Sequence, residues 1–325
     1  MKSELKNLRD KIRYYFRYHL IDKKIVNVSK IYFHNWWSAD TEEQWFYQFI
    51  LNRKIPLNNA IHFFSVFGKK NFLKYYPVDG NKVFYTGEDV YNNAFGSYKQ
   101  YMDYCLDDVD LSLGFDERGC QNYLRFPVWI FYLVNPTWDY QTLKDYIDNV
   151  NKPEFRMNPN RTGFVSHISR HDSSGIRRYL IDLLSEIDEV ECAGSFLNNT
   201  DRLISNYNDD KIEYLKNFKF NLCPENTSIN HYITEKCIES ICAGCIPIYW
   251  GGGKNSIEPD ILNQNAILRY TEDNEEQLLN MIREIYFSSD VYMEFINRKP
   301  FRKDAAKIIW NKMKELEEHL IKLAR

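Results

Sequence analysis

No run of about eighteen apolar residues occurs in this 325-residue sequence, so no transmembrane helix is expected. The opening stretch, MKSELKNLRDKIRYYFRYHL, has no apolar core of the kind a secretory leader carries. Charge of one sign is also missing: 42 Lys and Arg stand against 45 Asp and Glu, a formal net charge of −3. Nothing global therefore points to nucleic acid as a partner. Seven cysteines without a leader read as reduced thiols in a cytoplasmic protein. In that compartment the glycosylation patterns Asn27-Val28-Ser29 and Asn226-Thr227-Ser228 carry no meaning. No His-x-His or second close cysteine pair completes a ligand set around Cys242-Ala243-Gly244-Cys245. Those thiols read as small buried hydrophobes, and no metal site is expected. Internal repeats and low-complexity tracts are absent.

Aromatic residues are plentiful at 16%, with 24 Tyr and 21 Phe. The length suits two domains with a substantial core. Residues 2–20 read as a basic helix with interleaved aromatics, either a packing helix or one that lies on an anionic membrane surface. The first half then reads as α/β: strands at Ser29–Phe33, Ile61–Phe67, Lys82–Tyr85 and Val109–Phe115, helices at Thr41–Leu51 and Tyr98–Cys105, and an apolar run at Tyr123–Leu133. Glu42 and Glu43 are placed in the first turn of the first of these helices. Residues 135–162, with three prolines and scattered Asn, have the composition of an interdomain connection around one helix at Tyr140–Val150. The second half alternates more cleanly, with strands at Phe164–Ile168, Val190–Ala193 and Ala266–Arg269 and helices at Ile176–Ile187, Lys211–Asn217, Glu275–Tyr286 and Ala305–Ala324. Such alternation predicts a doubly wound parallel sheet. The domain boundaries are placed at 1–155, 156–302 and 303–325, the last a helix that is a candidate to cross back onto the first domain.

Phe220–Gly253 is the most informative segment. A short apolar run, Phe220–Cys223, is followed by the polar turn Pro224-Glu225-Asn226-Thr227-Ser228. From Thr234 the pattern turns helical, with Ile238, Ile241, Cys242 and Cys245 on one face and Gly244 placed to stop the helix. Ile246–Trp250 is again strand-like, which completes one βαβ unit. Glu225 and Asn226, with Tyr232, Glu235 and Lys236, crowd at the carboxyl ends of the strands, where ligands of open α/β sheets bind. On periodicity alone, Glu235 and Lys236 read equally well as solvated residues of a first helical turn.

These residues closely resemble the α-1,3-fucosyltransferases, glycosyltransferase family 10, in their bacterial form. Glu225-Asn226, Tyr232-Ile233-Thr234-Glu235-Lys236 and Pro247-Ile248-Tyr249-Trp250-Gly251 match its signature, in order. The resemblance implies the glycosyltransferase-B architecture, two Rossmann-like domains facing across a cleft. It also implies inverting transfer of fucose from GDP-fucose to a hydroxyl, O3 of N-acetylglucosamine, on an acceptor containing β-galactosyl-N-acetylglucosamine. It further implies that no cofactor is required and that a divalent metal is at most stimulatory. Asp107-Asp108-Val109-Asp110, although it looks like a metal-binding motif, reads as a polar loop. The rival readings are a same-fold enzyme using another nucleotide sugar or linkage, and a relative that binds nucleotide or glycan without turnover.

Residue by residue, the resemblance assigns Arg177 and Lys236 to the leaving diphosphate and Glu225, Asn226, Tyr232 and Glu235 to further donor contacts. The loop Ser169–Gly175 ahead of Arg177 has the small polar residues that suit a phosphate at a helix N-terminus. Arg178 is the neighbour set aside. Lys82–Asp89, KVFYTGED, matches the family segment whose Glu is the proposed general base, here Glu88. Asp89 is its rival, and Gly87 is read as permitting a tight strand exit. Asn35-Trp36-Trp37 matches an acceptor-side segment, with core packing as the competing reading of the tryptophans. Two departures stand out from the bacterial relatives. The interval 89–108 is expanded around Tyr91–Tyr104, and no heptad-repeat tail is present. A peripheral contact between the basic N-terminal helix and the inner face of a membrane is the remaining expectation.

Overall fold

The computed structural model describes residues 2–20, 29–92, 96–159 and 161–325. Asn27 and Val28 of the first glycosylation pattern lie outside them, as do Asn93–Phe95 of the expanded interval. The chain divides into two compact units, the first made of 1–128, 135–137 and 311–325 and the second of 129–134 and 138–310.

The first unit is a five-stranded sheet of β1 (Ile31–His34), β2 (Ala60–Phe64), β3 (Gly80–Tyr85), β4 (Leu111–Gly114) and β5 (Tyr123–Arg125), in that order. Each neighbouring pair is parallel. The second is a five-stranded sheet of β6 (Gly163–His167), β7 (Val190–Cys192), β8 (Phe218–Leu222), β9 (Ile246–Tyr249) and β10 (Leu268–Arg269), ordered β10-β9-β8-β6-β7 and again parallel throughout. The α/β class with two parallel sheets is thus the one expected. The strands read as apolar runs because both faces are covered. In the second unit Phe164, Val165, Phe220, Leu222, Ile246 and Ile248 form one core with Leu180, Ile181 and Ile282 from flanking helices.

Several boundaries differ from the sequence expectation, each for a local reason. The first internal helix begins at Trp45 and not at Thr41. Asp40 accepts the amide of Glu42 at 3.0 Å, so Glu42 and Glu43 sit in a turn ahead of it. Tyr98–Cys105 is a single 3₁₀ turn, Tyr98–Tyr101, followed by non-helical backbone with φ of +54° at Tyr104 and Cys105. There Asp103 accepts the Cys105 amide at 3.0 Å and Ser112 donates to the Tyr104 carbonyl at 2.7 Å, and such bonds compete with a helix. The apolar run 123–133 splits at Pro127 into β5 and a helix, Trp129–Leu133. A further helix spans Ser289–Ile296, its N-cap Ser288 accepting the Val291 amide; no glycine or proline separates it from the preceding one, so the sequence carries no boundary signal there.

The units divide ahead of residue 155. The helix Tyr140–Val150 buries Leu143, Ile147 and Val150, and Asn151 both donates to and accepts from the Phe301 backbone, at 3.0 and 2.9 Å. Trp129 donates to Glu258 at 2.8 Å. The closing helix, Ala305–Ala324, has residues in both units. Its Ala324 carbonyl accepts the Asn58 and Asn59 amides at 2.9 and 3.0 Å.

Gly244 ends the helix Glu235–Cys242 at φ +78°, as its position predicts. Beside it the buried Arg161 donates to the carbonyls of Phe218 at 2.5 Å and Ala243 at 2.8 Å, and to the Cys245 sulfur at 3.3 Å. A helix end and a strand start therefore depend on one guanidinium. Arg161→Met should lower stability by at least about 2 kcal/mol, since it leaves buried acceptors unpaired. Urea unfolding of the whole chain measures this, and an unchanged midpoint would remove Arg161 from that role.

Candidate active site

The backbone after β8 delivers Glu225, whose side chain is fully buried. Its Oε1 accepts the Thr234 amide at 2.7 Å and the Tyr249 hydroxyl at 3.2 Å. Its Oε2 accepts the Thr234 hydroxyl at 2.6 Å and Lys236 Nζ at 3.2 Å. A carboxylate can be buried only with such partners. Gly251 makes the geometry possible: it sits at φ +142°, and a Cβ there would come within 2.6 Å of Glu225 Cγ. Lys236 also donates to Thr234 Oγ1 at 2.7 Å and to Glu235 Oε1 at 3.3 Å. All three ammonium protons thus have protein acceptors. Burial alone would push Lys236 down, but Glu225 and Glu235 outweigh it and hold the ammonium firmly protonated. Glu235 is held below the usual carboxylate range, burial being outweighed by Lys236.

Arg177 lies across from this cluster, at the start of the helix Ile176–Leu184, and is buried. It donates to the His171 carbonyl and, at 2.6 Å, to Asn226 Oδ1. Burial lowers its pKa, countered by Asp172, Glu225, Tyr232 and Glu235. Arg177, Glu225, Asn226, Tyr232, Glu235 and Lys236 are therefore brought to one place. Arg178 is exposed and its guanidinium lies over the Phe196 ring. The loop before this helix departs from expectation: the Asp172 carboxylate accepts the amides of Arg177 and Arg178 at 3.3 and 2.9 Å. Those amides are thus occupied from within, and attraction for an anion falls to the side chains.

The site lies where the chain reverses direction in the sheet, between β6 and β8, as ligand sites of doubly wound sheets do. A small, partly open cavity lies there, lined by His167, Arg177, Lys211, Glu235, Lys236 and Glu239 among others. His167 is neutral: burial takes it down to about 4. Its Nδ1 meets the Leu222 carbonyl and its Nε2 the Ser169 hydroxyl, both at 2.8 Å. His167, Lys211 and Glu239 were not singled out from sequence. For Glu239 the signal was present, since it stands one helical turn beyond Glu235 on the same face.

In the first unit Glu88 follows β3 and is half-buried, its amide bonded to Thr86 Oγ1 at 3.0 Å. Asp89 is buried, and its Oδ1 accepts the Tyr91 amide at 2.8 Å, a turn-forming role. Gly87 needs room rather than a left-handed backbone, because a Cβ there would come within 2.7 Å of Val128 Cβ. Trp36 donates to Gln44 at 2.6 Å and packs on Phe33, Phe46 and Phe63. Trp37 stacks on Trp36 at 4.5 Å and is 47% exposed. Asn35 takes φ +50° and donates to the Lys69 carbonyl at 3.5 Å. In the acidic run 107–110, Asp108 pairs with Lys74 at 3.3 Å and Asp110 accepts the Lys82 amide at 2.8 Å.

Sequence profiles match both halves. Residues 158–322 match glycosyltransferase family 10 (fucosyltransferase), C-terminal part, and residues 31–132 the α-(1,3)-fucosyltransferase FucT N-terminal domain. The chain is 28% identical to the Helicobacter pylori α-(1,3)-fucosyltransferase FucT over 306 residues, covering 83% of this chain and 60% of that protein's length. It is 25% identical over 192 residues to the Drosophila melanogaster α-(1,3)-fucosyltransferase B, covering 56% of this chain and 42% of that one. Among solved structures, an α1,3-fucosyltransferase crystal structure superposes with a TM-score of 0.60 over 89% of each chain at 22% identity. A crystal structure of α1,3-fucosyltransferase with GDP-fucose gives 0.57, covering 89% of this chain and 90% of that one. With more than half of its length matched by the family's own profile, this chain belongs to glycosyltransferase family 10, the fucosyltransferases.

Proposed function

We propose that the protein transfers L-fucose from GDP-fucose, with inversion, to a hydroxyl of a glycan acceptor containing β-galactosyl-N-acetylglucosamine, O3 of the N-acetylglucosamine being the target. The observation that carries this reading is the convergence of Arg177, Glu235 and Lys236 on one cavity at the switch point of the family-matched sheet, with Asn226 bonded to Arg177 beside it. As the acceptor oxygen bonds to the anomeric carbon, its proton passes to the Glu88 carboxylate. The bond from that carbon to the diphosphate breaks, and the electron pair leaves with GDP. Charge growing on the leaving group is met by Arg177 and Lys236. Asn226, Tyr232 and Glu235 contact the donor, and Glu225 acts through Lys236 by holding its ammonium in place. Trp37, with Asn35, offers a face to acceptor sugar, while Trp36 supports it from behind.

Asp89 is the weaker candidate for the base because its carboxylate already organises a turn. Glu88→Gln should leave the KM for GDP-fucose within about threefold of wild type and lower kcat by about a hundred- to ten-thousandfold. Lys236→Ala should instead lower kcat/KM for GDP-fucose by about a hundred- to a thousandfold. Steady-state assays of GDP release test both. A near-normal Glu88→Gln beside an inactive, folded Asp89→Asn would move the base to the neighbour.

Two cationic side chains at the cavity supply what a metal otherwise gives. Activity should therefore survive EDTA, with added divalent ions at most stimulating it. Complete loss on chelation and full recovery on adding one ion would overturn the assignment.

The protein is further proposed to work in the cytoplasm, at the inner face of a membrane reached through its N-terminal helix. No helix among the described residues is long and apolar enough to cross a membrane. The helix Lys2–Leu20 packs one face on the first unit, with Asp10 bonded to Asn71 and Tyr14 against Phe72. Its other face exposes Leu5, Leu8, Ile12, Phe16 and Leu20, spaced three or four apart, with Lys6, Arg9, Arg13 and Arg17 along one edge. An apolar stripe edged by cations suits an anionic bilayer surface. Binding to phosphatidylserine-containing vesicles should fall with salt and drop at least tenfold in an Ile12→Asp, Phe16→Asp double variant. Equal binding by protein lacking residues 1–20 would retire the idea.

A further inference from the structure

The cavity holds one carboxylate that the transfer chemistry leaves unused. Glu239 lines it one turn beyond Glu235 on the helix Glu235–Cys242. Among the described residues no side chain hydrogen-bonds to its carboxylate, and no ion pair closes on it. Its neighbours differ sharply in this respect. Glu225 has its bonds filled from within, Glu235 is tied to Lys236, and Asp172 caps a helix. A half-buried carboxylate without a hydrogen-bond partner is costly to the fold, and it lines the same cavity as Arg177 and Lys236.

Resting on the reading of the site as a GDP-fucose site, we propose that Glu239 selects the guanine base by accepting its N1–H and 2-amino hydrogens on its two oxygens. The argument is one of donor pattern. Only guanine among the common bases presents two adjacent N–H donors to a carboxylate. Adenine offers an acceptor beside its amino group, and uracil flanks its single N–H with carbonyls. Lys211 lines the same cavity from the helix Lys211–Leu215. Leu215, Leu222, Cys223 and Pro224 add apolar residues to the lining, which suits a flat ring. Arg177 and Lys236 then lie on the diphosphate side of the same space.

The pH dependence follows from the burial of Glu239. Burial, with the Glu235 charge second, raises it to about 7 against the pull of Lys211 and Lys236. Below that value the free carboxyl holds a proton that guanine must displace. GDP affinity should therefore weaken by about tenfold per pH unit below 7 and level off above it. The groups facing Glu239 are Glu235 and Lys236 on its own helix and Lys211, Arg177 and His167 from elsewhere. Of these His167 is already neutral, with a pKa of about 4, and does not titrate in the same range.

The test is calorimetric binding of GDP, inosine diphosphate and ADP to the whole chain, wild type and Glu239→Gln, at pH 6 to 8. Inosine diphosphate lacks only the 2-amino group of GDP. Wild type should prefer GDP over inosine diphosphate by about ten- to a hundredfold, the range of a good paired base contact. In Glu239→Gln that gap should close to about threefold, and the pH dependence should flatten. Folding is not endangered, because a carboxyl whose pKa is raised by folding disfavours the fold once pH passes the ordinary carboxylate range. The variant's thermal midpoint at pH 8 should equal or exceed the wild type's. A Glu239→Gln protein that kept the wild-type GDP to inosine diphosphate ratio would overturn the proposal. So would a wild type that bound the three nucleotides alike, although a diphosphate site would then still stand. Binding of none of them would sink the donor reading together with the proposal.

Discussion

The second unit is organised around one buried carboxylate. Glu225 leaves the end of β8 and is met by a hydroxyl from β9, by the amide and hydroxyl of Thr234, and by the ammonium of Lys236. Its charge could not remain at that depth without all of them. A tight turn after β9, the N-terminal entry of the site helix and the direction of a lysine side chain are thereby fixed together. Gly251 belongs to the same constraint, since any side chain there would occupy the space of Glu225.

The first unit solves a similar problem with adjacent acids. Of Glu88 and Asp89, one is consumed by the backbone of its own turn and the other stands half-buried after β3. Two neighbouring acids of the same charge thus have different fates, decided by which one the turn can reach. The tryptophans divide likewise, Trp36 giving its N–H to Gln44 and its ring to phenylalanines, Trp37 keeping an exposed face.

Much of this was legible from the sequence, wherever the fold is set by patterns of apolar residues and by glycine. The βαβ unit around Glu235, the stop at Gly244 and the helices Tyr140–Val150 and Ala305–Ala324 follow from period and punctuation. What stayed hidden depends on side chains answering the backbone at a distance or against the pattern. Nothing in the spacing tells that Asp172 turns back to cap Arg177 and Arg178, or that Asp40 holds Glu42 and Glu43 out of their helix. Tyr104 and Cys105 have no propensity for positive φ; tertiary packing imposes it, with Tyr104 and Cys105 buried in the core of the first unit. Glu225 reads as a ligand contact from its place in the motif, whereas in the fold its bonds are spent inside the protein.

The saturated ammonium of Lys236 bears on turnover. A cation whose three protons already rest on Glu225, Thr234 and Glu235 is not bare when its ligand is away. If Lys236 receives the diphosphate as proposed, an incoming oxygen displaces a protein acceptor rather than a shell of water, and on departure that acceptor returns. The exchange is internal, so little solvent has to reorganise at either step. Under the proposed reading, a lysine held this way grips an anion less tightly than a free one and releases it faster, which suits a reaction whose product carries the same diphosphate as its donor.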